Sequence, residues 1–192
     1  FGRIIVLEDD IVTSPGFLRY MNDALEVYEN EEKVMHISGY IYPIKEKLPE
    51  TFFIRPTSCW GWATWKRAWQ YFEKNVDKQI NELDKIKGWE EFTIDSSYPS
   101  FKNQLYLNQR GELNTWAIFW QASVFLKRGL SLHPYPSLVQ NIGFDGTAKF
   151  NPSVSFKPIE LIPTISPESN SINGPPELPG LIAASVCTQS TP

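Results

Sequence analysis

The chain of 192 residues has few cysteines, no long hydrophobic run and no excess of basic charge. Its two cysteines, Cys59 and Cys187, are too few for a disulfide framework, which favours a reducing compartment. No apolar stretch is long enough to cross a bilayer, and no segment has the organisation of a signal peptide. The net charge of −4 argues against a nucleic-acid partner, because such binding needs a basic face. We therefore expect a cytoplasmic protein, with peripheral attachment to a membrane as the alternative.

A glycine-rich phosphate-binding loop is also missing from the sequence. The apolar content, 42% of residues, is nevertheless high enough for one domain with a sizeable core. Residues 1–150 are predicted to be folded. Prolines recur among serines, asparagines and glycines after residue 150, so we predict a disordered tail over residues 151–192.

Three consecutive carboxylates, Glu8, Asp9 and Asp10, follow the apolar run of residues 4–7. Side chains alternate along a strand, so Glu8 and Asp10 would point one way and Asp9 the other. The carboxyl ends of strands are where open α/β sheets bind ligands, and carboxylate oxygens suit Mg²⁺ or Mn²⁺. The sequence therefore predicts a metal site here. The alternative is a solvated acidic turn before a helix.

The segments after the triplet predict a helix and then a second strand. Ser14 suits the N-cap position and Pro15 the first helical position. Apolar residues then recur at helical spacing on one face; they are Phe17, Leu18, Met21, Leu25 and Tyr28. The predicted strand covers residues 34–38 and ends at Gly39.

Trp60-Gly61-Trp62 is the second candidate site segment. Gly61 permits a close backbone approach or an unusual φ. Tryptophan faces with N–H donors suit sugar rings, but tryptophans at helical spacing also pack in cores. The spacing from Trp62 through Trp65 and Trp69 predicts a helix, with the last two in the core. For Trp60 and Trp62, both interpretations stay open.

The third segment surrounds Asn114, at the start of a helix predicted over residues 113–128. Asn114 caps a helix well, which is the simpler interpretation, and Glu112 is a nearby carboxylate.

A fourth segment, SLVQNIGFDGTA, brings Asn141, Gly143 and Asp145 into a predicted loop over a ligand. An ordinary Asp-Gly turn is the alternative. His36 and His133 are interpreted as hydrogen-bonded packing residues, and a metal-ligand role for His133 is the less favoured alternative.

Together these four segments, in this order, resemble family 2 glycosyltransferases of the GT-A fold over about residues 1–150. The acidic triplet is also similar to the Glu-Asp-Asp triplet of N-acetylglucosaminyltransferase I. Two further blocks, Trp60-Gly61-Trp62-Ala-Thr-Trp and Ser-Leu-Val-Gln-Asn141-Ile-Gly-Phe-Asp145-Gly, are similar to blocks of bacterial sugar transferases. The resemblance implies an α/β fold with a GT-A-like mixed sheet flanked by helices. Because the chain opens directly in a strand, we expect the nucleotide-binding βαβ units to precede residue 1.

The resemblance also implies the chemistry. Asp10 would contact Mn²⁺ or Mg²⁺, while Glu8 and Asp9 would hydrogen-bond the ribose or donor sugar. The donor would be a nucleotide sugar and the acceptor a growing glycan or a lipid-linked sugar, with inversion of configuration. The resemblance places Trp60, Gly61, Trp62 and Asn141 around the substrates.

Relatives carry an acid where this chain has Asn114, so the general base is in question. Glu112 could take that role, and Asp145 is the next candidate. Two other functions remain open: a carbohydrate-binding module or inactive transferase fragment, and a metal-dependent phosphoryl or nucleotidyl transferase. The latter would need a phosphate-binding loop that the sequence does not show.

Overall fold

The computed structural model describes residues 1–44, 47–93 and 100–143. Asp145 and the tail predicted over residues 151–192 therefore lie outside the described residues. Within them, the strands in chain order are β1 (Arg3–Val6), β2 (Ile11–Thr13), β3 (Val34–Ser38), β4 (Thr51–Ile54), β5 (Trp62–Trp65), β6 (Leu130–Pro134) and β7 (Val139–Asn141). The helices are α1 (Phe17–Val27), α2 (Lys66–Trp69), α3 (Val76–Lys85), α4 (Trp89–Thr93), α5 (Phe101–Gln109) and α6 (Ala117–Leu126).

A five-stranded mixed sheet forms the centre, in the order β1-β5-β3-β6-β4. β3 and β6 are parallel, and the other neighbouring pairs are antiparallel. β2 and β7 form a separate antiparallel ribbon. The mixed α/β sheet flanked by helices is thus confirmed. No helix among the described residues is long and apolar enough to span a membrane.

Helix α1 covers one face of the sheet because its apolar residues recur at helical spacing. Phe17, Met21 and Leu25 are almost completely buried, against sheet residues such as Ile37. Leu18, expected on the same face, is 57% exposed instead. At the helix start, Gly16 occupies the N-cap position that the sequence assigns to Ser14. The Ser14 prediction is wrong because the preceding residues pair as β2, which delays the helix to Phe17.

Helix α6 covers the opposite face. Its Trp120 and Val124 pack with Met35 of β3 and Trp62 of β5. On its other side, α6 packs with α3, α4 and α5 around a second core. The hydrophobic residues of that core are Ile80, Leu83, Phe92, Leu105, Ile118, Phe119, Ala122 and Phe125. The sheet is therefore enclosed between α1 and a small helical layer.

The helix predicted from Trp62 onward is wrong for its first turn. Residues Trp62–Trp65 form the buried strand β5, and a four-residue helix, α2, follows. Trp62 faces α6, whereas Trp65 faces α1 and donates its indole N–H to the Leu25 carbonyl at 3.0 Å. β1 and β3 pair with this segment on both sides, so it forms a strand whose side chains alternate between the two covered faces of the sheet. The helical spacing of the tryptophans therefore does not decide the structure here.

Candidate functional site

The acidic triplet lies at the edge of the sheet where β1 and β3 end. Val6, the last residue of β1, is opposite Trp62, and Trp62 is opposite Ser38, the last residue of β3. The chain turns after β1, with the Ile11 N–H donating to the Glu8 carbonyl at 3.2 Å. The carboxylates therefore follow a strand at its carboxyl end, as the sequence predicts.

Asp10 and Asn141 are brought together by the β2–β7 ribbon. The Asn141 side-chain amide donates to Asp10 Oδ2 at 3.1 Å. Asn141 Oδ1 in turn accepts the Gly143 N–H at 2.8 Å, and the Ile142 N–H donates to the Asp10 carbonyl at 2.9 Å. A Cβ at Gly143 would lie only 2.6 Å from Asp10 Oδ2. The absence of a side chain at Gly143 therefore makes room for the Asp10 carboxylate.

The other carboxylate oxygen of Asp10, Oδ1, is buried and has no hydrogen-bond partner among residues 1–44, 47–93 and 100–143. A buried, unsatisfied acceptor is costly, so such an atom marks a place where a donor or a cation would be stabilising. The pKa of Glu8 is raised, first by burial and then by the charges of Asp10 and Asp9. Crowded carboxylates of this kind fit a divalent cation, which would relieve their mutual repulsion.

Within residues 1–44, 47–93 and 100–143, no group of three or more His, Cys, Asp or Glu side chains could enclose a metal ion. Mg²⁺ and Mn²⁺ do not require such a cage. Mg²⁺ is usually bound by one or two carboxylates, together with water and the phosphate oxygens of a substrate. The residues therefore fit an ion held jointly with a ligand, and Asp10 is the side chain whose free oxygen would hold it.

Gly39 and Gly61 let two backbone segments approach closely behind the triplet. The Gly39 N–H donates to the Gly61 carbonyl at 2.7 Å, and a Cβ at Gly39 would lie 2.8 Å from that oxygen. Gly61 has a φ of +59° and packs against Val139 and Leu7. Both features expected of Gly61, a close approach and an unusual φ, are confirmed.

Trp62 lies in the core rather than in an open pocket. It is 3% exposed, and its ring stacks on His36 and Trp116 at centroid distances of 5.2 and 5.4 Å. Its indole N–H is buried and has no hydrogen-bond partner among the residues that the structure describes. Trp60 is only partly buried and packs edge-to-face on Tyr40 at 4.5 Å. Trp62 is therefore a core residue beside the end of β1, and Trp60 is the better placed of the two to contact a ligand.

The two base candidates lie in the loop between α5 and α6. Glu112 is exposed and ion-paired with Arg110 at 2.5 Å, which lowers its pKa. Asn114 is exposed too, but it does not cap α6, because Trp116 is the N-cap residue. The capping interpretation of Asn114 is therefore wrong. At the end of this loop, Trp116 stacks on Trp62 of β5.

Cys59, which the sequence brought up only in connection with disulfides, lies near Glu8 and Asp10 of the triplet. Burial raises the pKa of its thiol to about 12, with a further contribution from the charge of Glu8. Burial and the neighbouring carboxylates therefore favour the protonated thiol over the thiolate. Its position directly before Trp60 was the one available signal.

Both histidines are buried and neutral, as the packing interpretation expects. Trp120 donates its indole N–H to His36 Nδ1 at 3.0 Å, so the opposite nitrogen donates to the Ser58 carbonyl. A neutral His133 has one N–H: Nδ1 donates to the Tyr40 carbonyl at 2.7 Å, and Nε2 accepts from the Ser131 hydroxyl at 2.9 Å. The bond from His36 to the Ser58 carbonyl holds the segment that leads to Trp60.

Comparison with known proteins does not assign the chain to a family: no family model matches it, and no curated protein matches it. What the fold and the site define is a mixed α/β protein with an acidic, partly buried centre at the edge of its sheet.

Proposed function

We propose that this chain is the metal- and acceptor-binding part of a GT-A-type glycosyltransferase. It would transfer a sugar from a nucleotide-sugar donor to a glycan or a lipid-linked acceptor, with inversion. The observation that carries the proposal is the buried Oδ1 of Asp10, which has no hydrogen-bond partner in the described part of the chain and lies in a loop shaped by Asn141 and Gly143. The sequence resemblance described above supports the same assignment.

Asp10 would hold Mn²⁺ or Mg²⁺ through its free oxygen. A bound divalent ion supplies charge neutralisation for the diphosphate leaving group. Asn141 fixes the second carboxylate oxygen of Asp10, so the free oxygen has a defined orientation. Such fixation matters because a preorganised charge costs no rearrangement as the reaction proceeds.

Glu8 and Asp9 would bind hydroxyl groups of the donor. The raised pKa of Glu8 reflects a carboxylate that is partly removed from water. Hydroxyl donors from a sugar would replace the lost hydration. Trp60, partly buried beside Tyr40, would offer apolar surface to a sugar ring.

A non-catalytic carbohydrate-binding module is the second candidate, and the base region favours it. Asn114 cannot accept a proton, and Arg110 lowers the pKa of Glu112, which weakens it as a base. This module would bind sugar without needing a metal or a nucleotide.

A transfer assay separates the two candidates. Full-length protein is supplied with a panel of nucleotide sugars and glycan acceptors, with Mn²⁺ and with a chelator. The proposal expects Mn²⁺-dependent transfer that falls at least about a hundredfold in Asp10→Asn, on the scale of one lost charge-stabilising group. Sugar binding that persists with chelator, without any transfer, would support the binding module instead.

A further inference from the structure

A cavity of about 500 Å³ lies at the end of the sheet opposite the acidic triplet. Arg128 lines it just before β6 begins, and there Leu130 of β6 is paired with Val34, the first residue of β3. The triplet, by contrast, lies at the edge where β3 ends at Ser38. The cavity is therefore separate from the site described above.

Three cations from three different segments line this cavity: Arg55, Lys87 and Arg128. Arg55 follows β4, Lys87 follows α3 and Arg128 follows α6. Two carboxylates share the wall, and one of them, Glu91, is ion-paired with Arg55. Arg55 also lies over the Phe125 ring at 5.5 Å, so its position is fixed from two sides.

Lys87 and Arg128 have no ion pair among the residues that the structure describes. With Arg55 neutralised by Glu91, they are the two cations left to meet a ligand. Glu90, also on the wall, has no ion pair there either. It disfavours an extended polyanion, so the site suits a small anion that sits between the two cations.

The backbone at these two cations is unusual. Lys87 and Arg128 have φ values of 51° and 55°, and in the described part of the chain no other non-glycine residue has a positive φ. Each ends a helix, and the glycine after it donates its N–H back to the helix: Gly88 to Leu83 and Gly129 to Val124. Glycine is the usual residue at the left-handed position, and a lysine or an arginine is strained there.

Compensation of the helix dipole does not explain these two cations. Lys85 already provides a basic residue in the last turn of α3, and Lys127 stands at the C-cap of α6. Neither of those lysines lines the cavity. Lys87 and Arg128 thus occupy unfavourable backbone positions and converge on one cavity, which favours a binding role.

We propose that this cavity binds a phosphate group. The three cations and two carboxylates give the wall a net charge of +1, which favours an anion, and the guanidinium of Arg128 matches phosphate geometry in two parallel hydrogen bonds. Ile86, 55% exposed, and Leu126 supply apolar surface beside the cations. The phosphate belongs either to a soluble phosphate ester or to the headgroup of an anionic lipid.

Binding by full-length protein tests the proposal in two arms. Inorganic phosphate is titrated by calorimetry, and sedimentation is measured with vesicles of phosphatidic acid in phosphatidylcholine, against phosphatidylcholine alone. Lys87→Asn and Arg128→Asn should each weaken the binding at least about tenfold, because each removes a charge-assisted contact. Asparagine tolerates the left-handed region, so the fold should be kept.

Lys127→Asn is the matched control, since it removes the neighbouring charge outside the cavity and should leave the affinity unchanged. Lys87→Gly and Arg128→Gly are a second pair of variants. They should weaken binding as much as the asparagine variants do, and they should raise the thermal stability because glycine relieves the backbone strain. Binding in the phosphate arm identifies a soluble ligand, and binding in the vesicle arm alone identifies a lipid headgroup. Absence of saturable binding in both arms, or an equal loss in Lys127→Asn, overturns the proposal.

Discussion

Gly61→Ala should destabilise the protein by more than its backbone strain alone. Gly61 has a φ of +59°, where alanine costs about 1 kcal/mol. The new Cβ would also lie 2.9 Å from Val139 Cγ1 and 3.1 Å from Phe17 Cε2. Overpacking of a tight core costs about 1–3 kcal/mol, so we expect a total loss of about 2–4 kcal/mol.

Gly111→Ala is the matched control for this prediction. Gly111 has a φ of +72°, but no atom of the described residues would lie within 4 Å of a Cβ at this position. It therefore reports backbone strain without crowding. The lower entropy of the unfolded alanine chain affects both variants alike, so the difference of about 1–3 kcal/mol isolates the packing contribution.

Urea unfolding, followed by tryptophan fluorescence, measures both variants against the wild-type protein. The midpoint of Gly61→Ala should lie clearly below that of Gly111→Ala, with similar slopes. Equal midpoints would refute the argument that Gly61 is needed for the close approach of the segments around residues 39, 61 and 139.

The remaining predictions concern the base and the buried histidines. Glu112→Gln should abolish transfer but spare donor binding if Glu112 is the base; if no base remains, the wild-type protein should be nearly inactive and Asn114→Asp should raise its rate. An active wild type, unaffected by either change in a donor-turnover assay, would show that the base lies elsewhere. Burial lowers the pKa of His36 to about 3 and that of His133 to about 4. The two histidines therefore bind protons more readily in the unfolded chain than in the folded protein. The free energy of unfolding should keep its full value above about pH 6.5 and should fall as the pH drops toward 4. A urea midpoint no lower at about pH 5 than at about pH 7.5 would contradict this linkage.

Local patterns were sufficient to predict the elements around the acidic triplet. The strand before it, the amphipathic helix α1 and the strand β3 are all present, because each is specified by its own run of apolar residues. Bringing Asn141 to Asp10 requires the pairing of β2 with β7, whose residues are about 130 positions apart. No local periodicity encodes such a pairing, and the resemblance placed Asn141 around the substrates without predicting its contact with Asp10.

The wrong predictions for Trp62 and Asn114 also arise because contacts between distant segments override the local sequence pattern. The spacing from Trp62 fits a helix, but partners on both sides make it a strand, and tertiary context overrides the local pattern. Asn114 has the chemistry of a capping residue, but packing of Trp116 on Trp62 accompanies a later helix start, at Ala117. The burial of Trp62, with neighbours from β3 and α6, likewise depends on contacts between distant segments.

Metal binding by Asp10 is the central claim, and a Mn²⁺ titration by calorimetry tests it most directly. Full-length wild-type protein and Asp10→Asn are compared in the presence of a nucleotide diphosphate, which supplies the phosphate oxygens that the ion needs. We expect saturable Mn²⁺ binding in the wild-type protein and a large loss in Asp10→Asn, with both proteins equally folded by circular dichroism. Equal Mn²⁺ affinity in the two proteins would contradict the account.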